Sequence, residues 1–212
     1  MSTMIDISWP LAPGMVSYKN RHPLAIEQLR SIACHSVADS LCSRLHMHAG
    51  THVDAPSHFI EGGKTIDQLS LAQMNGPCRV LDLTTIAGEF VEKHHLAPFQ
   101  IGAGERILLK TQNSFLSAQG PYNVREVYLG SSAAQYLAGC NIALLGIDAL
   151  GLERNQSDYA SHIALFSAGV IVVEGLRLAA VPSDLQECVL HLLPLAFVGT
   201  EAAPARALLM VA

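Results

Sequence analysis

A chain of 212 residues, half of them hydrophobic, is long enough for one sizeable core and reads as a single domain over 1–212. A charged fraction of 15% and a formal net charge of −5 leave no basic footprint for nucleic acid, and no apolar run approaches the ~20 residues of a membrane span. The five cysteines are odd in number and form no C-x-x-C pair, which favours reduced, mostly buried thiols in a cytoplasmic protein, and the start Met1 to Asp6 has no basic and apolar leader, so no signal peptide is expected.

Met4 to Ser8 reads as a first strand ending at Trp9-Pro10, and Pro10, Pro13 and Gly14 introduce a loop from Met15 to Pro23 that carries Tyr18. Leu24 to Arg30 and Leu41 to His48 read as strands that could pair. In the second, Leu41, Ser43, Leu45 and Met47 alternate with Cys42, Arg44, His46 and His48, so that His48 falls on the more polar face. The run His48-Ala49-Gly50-Thr51-His52-Val53-Asp54-Ala55-Pro56-Ser57-His58 follows, with three histidines and one aspartate. Imidazole and carboxylate together suit Zn, Mn or Fe. On a helix Asp54 would swing away from the face shared by His48 and His52, whereas on an extended chain positions 48, 52, 54 and 58 all point one way. Gly50 and Pro56 also argue against a helix. The pattern therefore predicts a metal-binding strand end and loop, with His46 as a pocket or core residue.

Gly62-Gly63 reads as a turn. Arg79 to Leu83 and Arg106 to Thr111 read as strands, with His94 and His95 exposed between them. Val127 to Leu129 reads as a short strand, and Ser131 to Gly139 as a helix with Ser132 as its cap. Asn141 to Asp148 suits a buried strand; Asp148 at its end fits equally a group supporting a site or a turn former. Asp158 to Ser167 reads as a helix packing through Ala160, Ile163, Ala164 and Phe166, ended by Gly169. Val170 to Leu176 is a strand with Glu174 near its end, and a carboxylate following four β-branched residues calls for a partner, of which a cation is the natural one. Cys188 to Leu195, Ala196 to Gly199 and Pro204 to Val211 read as late strands. No linker or internal repeat interrupts this pattern, which predicts one α/β domain with a mixed sheet.

The run from His48 to His58 resembles the H-x-G-T-H-x-D-x-P-x-H signature of the kynurenine formamidase-like, or cyclase-like, metal-dependent hydrolases. Two distant segments extend the resemblance: Ala160-Ser161-His162-Ile163-Ala164-Leu165 is similar to the family's H-x-x-L helix, and Val173-Glu174-Gly175-Leu176 to its E-G-L strand end. The resemblance implies a swivelling β/β/α type of fold and one or two divalent ions, Zn or Mn. His48, His52 and Asp54 would hold one ion and Asp54, His162 and Glu174 a second, with Asp54 bridging. Read alone, His162 is a helix-face residue and Glu174 a solvated strand end.

The resemblance also implies His58 as general acid/base, for which an imidazole of pKa ~6.5 is well matched; an extra metal ligand and a residue too far from the ion to act on it are its other readings. Tyr18 stands where the family places an aromatic substrate contact, although an ordinary packed loop residue fits as well. It is followed by Lys-Asn rather than Pro-Gly, which bears on the substrate. The segment Glu201 to Arg206 is similar to the family's D-G-x-P-x-R but departs from Asp-Gly, and is expected not to touch the metal ligands. The activity implied is hydrolysis of a small-molecule amide, foremost an aryl formamide, by a homodimer or homotetramer. Lactam opening of the isatin hydrolase type, or a cyclase or dehydratase of similar architecture, shares the fingerprint, and a non-catalytic metal-binding protein is the reading from a different class.

Overall fold

The computed structural model describes residues 3–21, 23–122, 125–154, 158–183, 185 and 187–211; His22 of the predicted 15–23 loop and the first two residues lie outside them. In chain order the strands and helices are β1 (Thr3–Asp6), β2 (Leu24–Arg30), β3 (Asp39–Leu45), β4 (His52–Asp54), α1 (Leu71–Met74), β5 (Gly76–Asp82), β6 (Phe90–Val91), α2 (Lys93–Leu96), β7 (Arg106–Lys110), β8 (Tyr128–Leu129), α3 (Ser131–Gly139), β9 (Leu144–Ile147), α4 (Ala160–Ser167), β10 (Ile171–Glu174), β11 (Cys188–Pro194) and β12 (Ala202–Val211).

Eight strands form one mixed sheet in the order β1-β12-β11-β5-β7-β9-β10-β4. The neighbours β5, β7, β9 and β10 are parallel and the remaining pairings antiparallel. The long strand β12 also pairs with β4, placing Ala202 opposite Asp54 and Pro204 opposite His52, so the sheet closes on itself like a barrel. The central strands are apolar on both faces, as parallel strands covered on each side must be. Leu108, Leu144 and Val173 point into the closed interior with Val53 and Ala203, while Ile107, Leu109, Leu145 and Val172 pack outward with Leu137 of α3 and Leu165 of α4. Each fully buried aliphatic side chain contributes about 1.5–3 kcal/mol, so this double-sided packing is what holds the short β4, β9 and β10 in place.

The α/β class and mixed sheet agree with the sequence reading, and several local expectations are corrected. The segment 41–48 is not one strand: β3 ends at Leu45, and residues 47–50 turn. The helix α4 buries Ser161, His162, Leu165 and Phe166, whereas Ile163 is exposed, a rotation of the predicted face. This face is polar in part because it meets the site rather than the core alone. Ser132 does not cap α3; its hydroxyl accepts from Lys93 N at 3.0 Å and donates to Glu92, and so supports the start of α2, a short helix that the polar sequence does not announce. His94 is exposed as expected but His95 is half-buried, its Nδ1 accepting from Glu92 N at 3.0 Å. Residues 196–199 form no strand. All five cysteines are free, but only Cys78 and Cys188 are buried; Cys34 and Cys42 are exposed.

Candidate metal centre

The site is assembled where three stretches of chain meet. The short strand β4 lies between β10 and β12, and on it His52 and Asp54 point the same way, as alternate residues of a strand do. Both are almost completely buried. His48 and His58 reach the same cleft by other means than the single extended segment that parity predicts. His48 stands on the turn before β4, and His58 ends a 3₁₀ turn, Pro56–His58, begun by the proline. His162 comes from the first turns of α4 and Glu174 from the last residue of β10.

Thr51 joins these pieces. Its hydroxyl accepts from Trp9 N at 2.7 Å and donates to Gly175 O at 2.6 Å, tying the histidine-bearing turn to the end of β10. Gly50 and Gly175 then approach so closely that a Cβ on Gly175 would collide with the carbonyl of Gly50, and Gly175 has φ +69. No L side chain fits there without moving backbone. Gly175→Ala is expected to destabilise the fold by more than about 2 kcal/mol through strain plus backbone collision; a denaturant midpoint equivalent to a loss of less than about 0.5 kcal/mol, at an unchanged m-value, would refute this.

Around Asp54 the distances are short. Its Oδ1 lies 3.0 Å from His48 Nδ1 and 3.4 Å from His52 Nε2, and its Oδ2 lies 3.8 Å from His162 Nε2. Glu174 Oε1 accepts from Leu152 N at 2.5 Å and lies 3.2 Å from His162 Nε2, while its Oε2 is 3.2 Å from His52 Nε2. Ligand-type atoms fall into two groups sharing Asp54: His48, Asp54 and His58, and His52, Asp54 and Glu174, in each of which the atoms lie within 4.8 Å of one another. His52 Nε2 and Asp54 Oδ1 are buried and make no aligned hydrogen bond with the described residues. Buried polar atoms are ordinarily satisfied, so converging lone pairs left over in this way fit a cation between them, and the mixed imidazole–carboxylate set suits a transition metal.

The electrostatics agree. Burial alone would depress His52, but the carboxylates of Asp54 and Glu174 outweigh it and raise its pKa to about 9. Burial likewise opposes charge on His162, and Glu153, Glu174 and Asp54 raise it to about 9. Burial pushes against ionisation of Glu174 too, yet its two histidine partners hold it well below the usual carboxylate range. A histidine raised in this way stabilises the fold fully below its unfolded value near 6.5, and the contribution is lost as pH rises through about 9. Chelator-treated protein is therefore expected to melt at lower temperature as pH rises from about 7 to about 10. The melting shift caused by added Zn²⁺ should grow over the same range, because the ion competes with those protons. A melting temperature of the metal-free protein that rises toward about pH 10 would contradict this account.

Glu153 carries no sequence signal of its role. Its Oε1 accepts from His162 N at 2.5 Å and lies 3.0 Å from His162 Nδ1, so one buried carboxylate oxygen both holds the start of α4 and orients the ring. It precedes His162 by nine residues, which is not a capping spacing. Asp148, by contrast, is a buried hub away from these ligands. Its carboxylate accepts from Thr111 and Ser114, backbone and hydroxyl alike, and so anchors the loop after β7. Glu201 does touch a proposed ligand, contrary to expectation: its Oε1 lies 3.3 Å from His48 Nε2.

The cleft above these residues has a volume of about 720 Å³, and Tyr18 stands in its wall. The Tyr18 ring meets Tyr122 edge-on at 5.4 Å between centroids. Phe59 and Tyr159 also line the cleft, tilted by 34° with centroids 4.7 Å apart, as does His46. Burial depresses the pKa of His58, which is half-exposed to the cleft with its ring centroid 4.4 Å from that of His48.

The cyclase family model matches residues 5–154. The kynurenine formamidase of Salinibacter ruber is 36% identical over 167 residues, covering 78% of this chain and 77% of that protein. A solved potential metal-dependent hydrolase with cyclase activity superimposes with a TM-score of 0.88 at 38% identity, covering 100% of this chain and 99% of the other. Isatin hydrolase A from Ralstonia solanacearum shares the fold, with a TM-score of 0.82 at 20% identity over 100% of this chain and 92% of its own. The barrel-like mixed sheet, the shared-aspartate cluster and these matches together show that this chain belongs to the cyclase family of metal-dependent hydrolases.

Proposed function

We propose that this chain hydrolyses the C–N bond of a small aryl formamide of the N-formylkynurenine type, using one or two divalent ions, Zn²⁺ or Mn²⁺. The observation that carries the chemistry is the convergence of His48, His52, Asp54, His162 and Glu174 on one cleft, with buried lone pairs that lack hydrogen-bond partners among the described residues. The formamide is supported by the 36% identical kynurenine formamidase. By the resemblance, His48, His52 and Asp54 would hold one ion and Asp54, His162 and Glu174 the second; by distance, His58 falls with His48 and Asp54, and His52 with Asp54 and Glu174, so Asp54 is the shared residue in either division. A divalent cation in this setting supplies Lewis acidity and makes water available as a nucleophile at neutral pH.

The chain's own groups do the rest. Tyr18, Tyr122, Phe59 and Tyr159 give the cleft the aromatic lining that an aryl ring would pack against. His58, kept neutral near pH 7 by its lowered pKa, accepts a proton from the attacking water and returns it to the leaving nitrogen. Without that protonation the tetrahedral species would expel water again rather than amine. The products are formate and the free aryl amine.

The protein acts as a homodimer or homotetramer in this reading. The hairpin of β2 and β3 supports it, because Ile26, Leu29 and Leu41 stand exposed on an arm that packs little against the body. Reduced cysteines fit a cytoplasmic setting, and no helix among the described residues is long and apolar enough to cross a membrane. The test is turnover of N-formylkynurenine by metal-free protein reloaded separately with Zn²⁺ and Mn²⁺. Metal-dependent release of formate is the expected result. Tight metal binding without turnover would reject the formamide and direct the search to isatin and other lactams; failure to bind any divalent ion would reject the metal reading altogether.

A further inference from the structure

The three histidines read as metal ligands can be compared by what stands behind each ring. His52 Nδ1 lies 2.9 Å from Gly50 O, and His162 Nδ1 lies 3.0 Å from Glu153 Oε1. A carbonyl and a carboxylate only accept, so each Nδ1 carries a proton, and each ring points its Nε2 toward Asp54 and Glu174, where it would offer a lone pair once an ion displaces the Nε2 proton. His48 is reversed. Its Nδ1 faces Asp54 Oδ1 at 3.0 Å, and its Nε2 faces outward to Glu201 Oε1 at 3.3 Å. That Nε2 is buried and makes no aligned hydrogen bond with any described residue, Glu201 included, so the Glu201 carboxylate stands beside an unsatisfied ring nitrogen.

We propose that Glu201 is a positioning residue of the metal centre: when the ion binds, its carboxylate accepts a hydrogen bond from His48 Nε2–H and so aims the Nδ1 lone pair at the ion. The inference rests on the metal-ligand reading above. Sheet closure builds the contact. Ala55 N donates to Glu201 O at 2.9 Å, and the next residue pair, Ala202 and Asp54, is in register between β12 and β4, so Glu201 is carried beside the ligand strand by backbone bonds. Its side chain remains two-fifths exposed at the rim, able to swing the short distance needed. Glutamate, in place of the aspartate usual in the resembling segment, adds the methylene that reaches the ring. Carboxylates that orient ligating histidines in this way are worth about 10–100-fold in metal affinity.

The test is Zn²⁺ affinity by competition with a chromophoric chelator, together with the visible spectrum of bound Co²⁺ and the melting temperature of the metal-free protein. Glu201→Ala is expected to weaken Zn²⁺ binding about 10–100-fold and to alter the Co²⁺ bands, with the metal-free melting temperature unchanged. Glu201→Gln, which keeps an acceptor oxygen, should recover most of the loss. Affinity of the alanine variant within about twofold of wild type overturns the inference alone. So does an equal loss in both variants, which would assign the effect to net charge, and so does a loss matched by a lower metal-free melting temperature, which would assign it to folding. Failure of the wild-type protein to bind either ion overturns the metal reading and this inference with it.

Discussion

Asp54→Asn is expected to abolish divalent-metal binding and to lower kcat/KM by at least about 10³-fold, since metal-ion stabilisation of transition-state charge is worth several kcal/mol and each ~1.36 kcal/mol is tenfold. Asp54 is the residue common to both ligand groups, and its two oxygens meet His48 and His52 on one side and His162 on the other. Asparagine keeps the shape and buries no new volume, so the loss isolates the charge. Removing it also takes away one of the carboxylates that face His52 and His162, leaving them Glu174 with Glu153 behind His162, which lowers their tendency to carry protons. Metal content measured on purified protein and chelator competition check the prediction. An asparagine variant that retains stoichiometric metal and about a tenth of the wild-type kcat/KM would show that Asp54 is not the shared ligand.

His58→Ala has the second-largest expected effect and a different signature. Loss of a positioned acid/base costs about 10²–10⁴-fold, and it should appear in kcat while metal content remains at the wild-type level. His58 belongs by distance to a ligand group with His48 and Asp54, so metal content is the measurement that separates the two roles open to it. A variant that loses one ion would make His58 a ligand. The pH profile adds a further check. A general base must be neutral, burial lowers the His58 pKa from its ordinary 6.5, and a nearby cation would lower it more, so the acidic limb of kcat/KM should lie below pH 6.5. In the alanine variant that limb should disappear.

The amino-acid pattern reveals the parts of this site unevenly, for physical reasons. His52 and Asp54 are legible in both chemistry and geometry, because two residues on one strand share a face whatever the strand packs against. His48 and His58 are legible in chemistry alone. Alternation extends to both on paper, but the chain turns at 47–50 and again at Pro56–His58, and turns do not preserve parity. The buried face of α4 departs from the expected one at Ile163 because helical periodicity reports an apolar side, whereas this helix turns His162 and Ser161 inward. His162 stands out through the order of resembling segments, not through any local pattern that marks a ligand, whereas Glu174 is also marked locally as a carboxylate after four β-branched residues.

Glu153 and Glu201 show the limit most clearly. Each is an ordinary acidic residue in a loop, and nothing in its neighbours announces a histidine across the cleft. Both are placed by tertiary structure, Glu153 by its contacts with the start of α4 and Glu201 by β12 pairing along β4. Residue chemistry, the strand-rich α/β class and the extended conformation at 52–54 are written into the chain locally, since they follow from side-chain type and from steric preferences acting over a few residues. Which distant carboxylate stands behind which ring depends instead on closure of the sheet, because strand pairing satisfies backbone hydrogen bonds irrespective of how far apart the partners lie in the chain.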